Sequence, residues 1–121
     1  MSKKILAVDD EPDMLEILSV MLESGGYEVL KAPNAEQALM MLERYFPDLI
    51  LLDLHLPGMQ GADLCKSLKA DMKTRKIPII LFSVSSQGMY TRTREIGADD
   101  FIVKPFGVEQ IMAKIKKFIG K

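Results

Sequence analysis

The sequence has little of what holds disulfide-linked or zinc-linked small proteins together. Among its 121 residues there is one cysteine, Cys65, and one histidine, His55. A single cysteine excludes an internal disulfide and fits a reducing compartment. A structural zinc site needs more sulfur and nitrogen ligands than these two side chains supply. Cys65 lies beside Leu64 and Leu68 in a helical pattern, which favours a packed thiol over a reactive one.

Long hydrophobic runs are also absent. The longest, LILL at 49–52 and IPIILF at 77–82, are far shorter than the ~20 residues that span a bilayer. The amino terminus has no charged leader followed by an apolar segment and a cleavage site. We therefore expect a cytoplasmic protein without membrane contact. The length and the 48% hydrophobic content predict one domain over residues 1–121.

The net charge is close to zero, but the charges are unevenly distributed. Residues 1–63 carry 12 acidic and 4 basic side chains, whereas residues 64–121 carry 5 acidic and 12 basic ones. The basic side chains are scattered and have no aromatic residues interleaved with them. This pattern favours solvated helix faces or a protein-docking face over direct nucleic-acid binding.

Short apolar runs alternate with helical patterns along the chain. Asn34 is suited to cap the second helix, and Gly97 to end the fourth. The middle strands are apolar on both faces, which predicts an α/β fold with a doubly wound, five-stranded parallel sheet covered by helices on both sides. Strands are predicted over 4–8, 27–32, 49–53, 77–82 and 100–103, and helices over 13–24, 35–44, 61–71, 87–96 and 107–119.

Polar side chains stand where the predicted strands end. Asp9 and Asp10 follow the first strand, Asp53 ends the third, and Ser83 and Lys104 stand at the ends of the fourth and fifth. In doubly wound sheets, ligands bind beyond the carboxyl ends of the strands. We therefore expect these side chains to converge on one site.

The chemistry of this set indicates phosphoryl transfer. Three carboxylates at one edge repel each other unless a hard cation lies among them, and Mg²⁺ prefers such oxygen ligands. With a cation present, Asp53 is a candidate nucleophile, because a carboxylate can form an aspartyl phosphate. Lys104 and the Ser83 hydroxyl would then contact phosphoryl oxygens.

In their order and spacing, Asp9, Asp10, Asp53, Ser83 and the pair Lys104-Pro105 resemble the receiver domain of two-component response regulators. The resemblance covers essentially the whole chain. It implies a flavodoxin-like (CheY-like) three-layer sandwich with strand order 2-1-3-4-5. It also implies that Asp53 accepts phosphate from a phosphohistidine of a sensor histidine kinase or a histidine phosphotransfer protein.

The resemblance further implies how the metal is held. Asp10, Asp53 and the main-chain carbonyl of His55 are the implied direct ligands of Mg²⁺, with Mn²⁺ as an alternative, and Asp9 acts through water. The bond between Lys104 and its proline is implied to be cis.

Ser83 and Phe101 are the implied switch. After phosphorylation the Ser83 hydroxyl is expected to move toward the phosphoryl group, and Phe101 to turn into the space left behind. The face of helix four, strand five and helix five would then change for a downstream protein, for an effector domain missing from this chain, or for a phosphorylation-dependent dimer. The expected catalysis is limited to the chain's own phosphorylation and dephosphorylation.

Three side chains beside the site, His55, Val84 and Ser85, are expected to tune access and dephosphorylation. Val84 stands where the family generally has alanine or glycine. Its extra methyl groups are expected to slow phosphorylation by small donors.

Two other functions fit part of the pattern. A haloacid dehalogenase phosphatase also uses carboxylate, Mg²⁺, a hydroxyl and lysine, but such enzymes carry D-x-D after the first strand. Here the residue two positions after Asp53 is His55, and the strand is the third. A flavodoxin-like FMN carrier needs a phosphate loop after the first strand, where DDEPDM at 9–14 would repel phosphate. A phosphatase would turn over added monoesters, whereas a receiver takes up phosphate once.

Overall fold

The computed structural model of the protein describes residues 2–56 and 58–120. The ends of the predicted domain, residues 1 and 121, lie outside the described residues. The strands are β1 (Lys4–Val8), β2 (Glu28–Ala32), β3 (Leu49–Asp53), β4 (Ile79–Ser83) and β5 (Asp100–Val103), and the helices are α1 (Pro12–Ser24), α2 (Ala35–Arg44), α3 (Gly61–Ala70), α4 (Met89–Ile96) and α5 (Val108–Ile119).

All strands pair in parallel, and their order in the sheet is β2-β1-β3-β4-β5. After β1 the chain adds β2 on one side of it and β3 on the other. The strand order therefore reverses next to β1, and the carboxyl ends of β1 and β3 border the crevice that such a reversal creates. The predicted α/β fold and strand order are confirmed.

The sheet is covered on both faces, as the apolar middle strands predicted. Leu6 and Val8 of β1 pack into one core with α2, α3 and α4. Ile5 and Ala7 point to the opposite face and pack with α1 and α5. Every residue of β3 is buried. At about 1.5–3 kcal/mol for each buried large aliphatic side chain, these central strands anchor the position of the residues that follow them.

Several predicted element ends were wrong by one or two residues. Pro12 starts α1, because proline is tolerated in the first turn of a helix. The left-handed backbone of Gly88, with φ of 71°, delays α4. Pro78 has no N–H to donate to a strand ladder, and β4 begins after it. In the structure β2 begins at Glu28 and not 27, β4 covers Ile79–Ser83 and not 77–82, α1 begins at Pro12 and not 13, α3 ends at Ala70 and not 71, α4 begins at Met89 and not 87, and α5 begins at Val108 and not 107.

Three local predictions are confirmed. The Asn34 side chain accepts a hydrogen bond of 2.8 Å from the N–H of Gln37 and so caps α2. Gly97 ends α4 with φ of 92°. Cys65 is buried, and burial raises the pKa of its thiol to about 11, as expected for a packed thiol.

Over the part of the chain that the structure describes, the helices are all too short or too polar to cross a bilayer.

Candidate functional site

Three carboxylates meet where β1 and β3 end. Asp9 and Asp10 follow β1, and Asp53 is the last residue of β3. One carboxylate oxygen from each lies within 4.8 Å of the others. Asp9 is fully buried and Asp53 is 6% exposed, whereas Asp10 is open to solvent. The predicted convergence of these acids is observed.

Local turns orient the two buried carboxylates. The N–H of Glu11 donates to Asp9 Oδ1 at 2.9 Å, and the N–H of His55 donates to Asp53 Oδ1 at 3.1 Å. In each case the donor lies two residues after the aspartate, which is the geometry of an Asx turn. The second oxygen of each carboxylate faces Lys104, whose Nζ lies 3.4 Å from Asp9 Oδ2 and 3.6 Å from Asp53 Oδ2.

Lys104 reaches these oxygens from the end of β5. Its N–H donates to the carbonyl of Ser83 at 2.8 Å, and its peptide bond to Pro105 is cis, as the resemblance implied. The ammonium lies 4.7 Å from the ring centre of Phe82, and Phe106 packs edge-on against that ring. The Phe82 ring thus holds the Lys104 ammonium in place through a cation–π contact.

The site carries more negative charge than its lysine balances. Burial is the main cause that raises the pKa of Asp53, and the charges of Asp9 and Asp10 add to it. The hydrogen bond from the His55 N–H and the charge of Lys104 oppose this rise in part. A divalent cation would relieve the excess charge. The oxygen-only donor set, with solvent on the Asp10 side, fits Mg²⁺, which keeps several waters when bound to carboxylates.

Ser83 lies beside this cluster on the neighbouring strand. Asp53 pairs in register with Phe82, so Ser83 stands one residue farther toward the carboxyl edge. Ser83 is 3% exposed, and its Oγ accepts a hydrogen bond of 3.3 Å from the N–H of Ser85. Val84, at 72% exposure, and the side chain of His55 are on the surface around the site.

Phe101 is half-buried on β5, next to an ion cluster that the sequence reasoning missed. Lys114 of α5 lies 5.9 Å from the ring centre of Phe101 and 3.2 Å from Asp100, and Lys117 lies 3.3 Å from Asp100. Burial alone would raise the pKa of Asp100, but the hydrogen bonds from the Phe101 N–H and the two lysines lower it. The sequence shows that Lys114 and Lys117 share one face of α5, because they are three residues apart. It does not show that their partner is Asp100 on β5.

The family model for the response regulator receiver domain matches residues 5–116. With its parallel sheet and carboxylate site, the chain therefore belongs to the receiver domain family of two-component response regulators. It is 43% identical over 120 residues to the phosphate regulon transcriptional regulatory protein PhoB of Pseudomonas aeruginosa, a match covering 98% of this chain and 52% of that protein. It is 36% identical over 117 residues to the DNA-binding response regulator MtrA of Mycolicibacterium smegmatis, covering 96% and 50%. The chain spans about half the length of these relatives.

Solved structures agree with this assignment. The receiver domain of a sensor histidine kinase from Pseudomonas aeruginosa PAO1, which has a magnesium ion coordinated in its active site cleft, gives a TM-score of 0.90 at 30% identity over all of both chains. The signal receiver domain of a histidine kinase from Syntrophus aciditrophicus gives 0.90 at 36% identity, covering 98% of this chain and 90% of that one. The receiver prediction is confirmed, and the haloacid dehalogenase alternative gains no support.

Proposed function

We propose that residues 1–121 form one phosphoacceptor unit, in which Asp53 takes a phosphoryl group from a phosphohistidine. The donor would be a sensor histidine kinase or a histidine phosphotransfer protein. The observation that carries this proposal is the position of the Asp53 carboxylate, which lies between two further acids and the ammonium of Lys104. The membership of the chain in the receiver family supports the same role.

The metal part of the proposal assigns Mg²⁺, or Mn²⁺ in its place, to the acidic cluster. Asp10, Asp53 and the main-chain carbonyl of His55 would hold the ion, and Asp9 would act through a bound water. When bound, the ion neutralises charge on the phosphoryl oxygens and the carboxylate. Support comes from the spacing of the three carboxylates and from the magnesium that the related kinase receiver coordinates.

In the proposed reaction, an Asp53 carboxylate oxygen forms a bond to phosphorus while the phosphorus–nitrogen bond of the donor breaks. The donor imidazole leaves with that electron pair. Lys104 and the Ser83 hydroxyl are the proposed partners of the transferred phosphoryl oxygens. Attack by water later releases phosphate and restores the carboxylate, so catalysis is limited to the chain's own modification. Water access to Asp53 is tuned, in this proposal, by His55, Val84 and Ser85.

The donor protein must cover the rim of the site to bring its phosphohistidine to Asp53. One large apolar side chain of α1 beside the site, Ile17, is 50% exposed. Ile17 borders an open cavity of about 370 Å³ that Asp10 also lines. We therefore assign this α1 surface to the phosphodonor. Ile17→Ser is expected to slow transfer from the donor protein about ten-fold while acetyl phosphate reacts at the wild-type rate; equal slowing with both donors would contradict the assignment.

The output part of the proposal uses Ser83 and Phe101. Phe101 of β5 pairs in register with Leu81 of β4, the strand that also carries Ser83. The Phe101 ring is next to Lys114 of α5. Turning the ring would therefore change the surface formed by α4, β5 and α5. That surface would contact a downstream protein, an effector domain of a longer chain, or a second receiver, without direct nucleic-acid binding. PhoB is named as a transcriptional regulatory protein and MtrA as a DNA-binding response regulator, and both names support control of transcription. The buried free thiol of Cys65 suits a cytoplasmic location.

Intact-mass measurement after incubation with Mg²⁺ and acetyl phosphate tests the proposal. The wild type is expected to gain one base-labile phosphate, and Asp53→Asn none. Asp13→Asn, which alters an exposed acid in the first turn of α1, is the matched control and should keep full labelling. Full labelling of Asp53→Asn, or continuous hydrolysis of added phosphomonoesters by the wild type, would refute the proposal.

A further inference from the structure

The start of α3 lies directly against the main chain of Asp53. Gly61 is the first residue of α3, it is buried, and its N–H donates to the carbonyl of Leu54 at 3.1 Å. A Cβ atom placed on Gly61 would overlap the carbonyl oxygen of Asp53 and lie 2.8 Å from Leu54 O and 2.9 Å from Leu54 Cα. All three are main-chain atoms, which cannot rotate away as a side chain can. The backbone of Gly61 is helical, a conformation that any residue can adopt. Glycine is therefore required at this position because a side chain would have no space.

The Asp53 side of this contact is held from several directions. The N–H of Leu54 donates to the carbonyl of Phe82 on β4 at 3.0 Å, and the Leu54 side chain is 3% exposed. The N–H of His55 donates to the Asp53 carboxylate. The peptide between Asp53 and Leu54 is thus confined between β4 on one side and Gly61 on the other.

The helix side of the contact is equally fixed. Leu64 and Cys65 are fully buried, and Leu68 is 3% exposed, so the inner face of α3 is packed into the core under the sheet. Densely packed interiors transmit displacements to their neighbours. A side chain at residue 61 would then push the Asp53–Leu54 peptide.

We infer that Gly61 is a positioning residue for Asp53: the missing side chain lets α3 approach the end of β3 closely enough to set the direction of the carboxylate and of the His55 amide. This inference rests on the proposed role of Asp53 as phosphoacceptor. Its effect on the protein differs from that of a packing residue, because it acts on the geometry of the Asp53 carboxylate and not only on stability.

Helix propensity and close approach predict opposite results for Gly61→Ala. Alanine is the better helix former, so propensity alone predicts a gain in stability. The overlap with the Asp53 carbonyl predicts a loss of stability and a displaced carboxylate. Gly25→Ala is a matched control, because a Cβ at Gly25 overlaps the terminal methyl group of Met112, a flexible side chain at the other end of the molecule.

The test compares amide NMR spectra of the wild type, Gly61→Ala and Gly25→Ala in metal-free buffer. The His55 amide resonance is expected to shift in Gly61→Ala and to stay in place in Gly25→Ala. Per folded molecule, Gly61→Ala is expected to bind Mg²⁺ about ten-fold more weakly and to be phosphorylated by acetyl phosphate about 10- to 100-fold more slowly. Sucrose, which favours the compact state, keeps a measurable folded population if the variant is unstable.

An unchanged His55 resonance, with shifts confined to the amides of the first turn of α3, would overturn the inference, because α3 and not β3 would then have moved. Unchanged Mg²⁺ affinity in the folded fraction of Gly61→Ala would overturn it as well. A failure of the wild type and of Gly25→Ala to accept phosphate would instead refute the proposed function. The His55 resonance is measured without phosphate or metal, so it decides on Gly61 in either case.

Discussion

Replacing the proposed phosphoacceptor with a neutral side chain of the same shape is expected to stabilise the metal-free protein. In Asp53→Asn the amide oxygen can still accept from the His55 N–H, so the Asx turn is kept. The negative charge of Asp53 is removed, however, along with its repulsion from Asp9 and Asp10. The expected result is a higher free energy of unfolding for the variant than for the wild type when chelator is present.

The size of the effect follows from the distances. With an effective dielectric constant of about 20, Lys104 at 3.6 Å attracts the Asp53 carboxylate by about 4.6 kcal/mol. The Asp9 carboxylate, within 4.8 Å, repels it by at least about 3.5 kcal/mol. Asp10 adds a smaller repulsion, because it is exposed and screened. These opposing charges nearly cancel, so the cost of burying the Asp53 charge decides the sign, and we expect a gain of about 1–2 kcal/mol.

The pH dependence has a definite sign. Because the pKa of Asp53 is raised in the folded protein, the unfolded chain loses this proton first as the pH rises. The contribution of Asp53 to wild-type stability therefore decreases with pH from the ordinary carboxylate pKa of about 3.9 up to the raised folded value. Asp53→Asn lacks this decrease, so its advantage should be small at low pH and full near neutral pH.

Urea unfolding followed by far-UV circular dichroism, from about pH 4 to about pH 8 in chelator, measures this difference. Added Mg²⁺ should stabilise the wild type more than the variant and so reduce or reverse the gap, because a ligand stabilises the state that binds it. Asp13→Asn is the control, and losing an acid near a helix amino terminus should destabilise it by about 0.3–1 kcal/mol. An Asp53→Asn protein that is less stable than the wild type in chelator at neutral pH would refute the reasoning.

Three further predictions concern Lys104, Val84 and Asp100. Lys104→Met keeps the packing on Phe82 but removes the ammonium. Phosphorylation by acetyl phosphate should slow about 10²- to 10³-fold, while calorimetry should find Mg²⁺ binding unchanged or tighter. A parallel loss of phosphorylation and of Mg²⁺ binding would contradict the assigned role of Lys104. Val84→Ala should be phosphorylated faster by acetyl phosphate than the wild type, and equal rates would show that Val84 does not restrict access. Asp100→Asn should lower the free energy of unfolding by about 1 kcal/mol at neutral pH. Because the pKa of Asp100 is lowered in the folded state, this loss should disappear as the pH falls below the ordinary value of about 3.9, which a pH series of urea unfolding curves would detect.

Much of the site could be predicted because its residues sit at strand ends. The apolar runs before Asp9, Asp53 and Ser83 indicated buried parallel strands, and the carboxyl ends of parallel strands face the same edge of a sheet. Residue types and strand ends thus indicate the convergence of acids, hydroxyl and lysine. The strand order itself came from the resemblance to receiver domains, since alternation of strands and helices allows more than one order.

Contacts between distant segments could not be predicted in this way. The support of Lys104 by Phe82, the pairing of Asp100 with Lys114, and the approach of Gly61 to the Asp53 carbonyl all depend on how helices pack on the sheet. Helix and strand periodicity is a local property of the chain, and it determined the elements and the polar residues at their ends. Which carboxylate oxygen faces the lysine, and how tightly α3 presses on β3, was decided by tertiary packing, because close-packed side chains fill space jointly and no single segment specifies their arrangement.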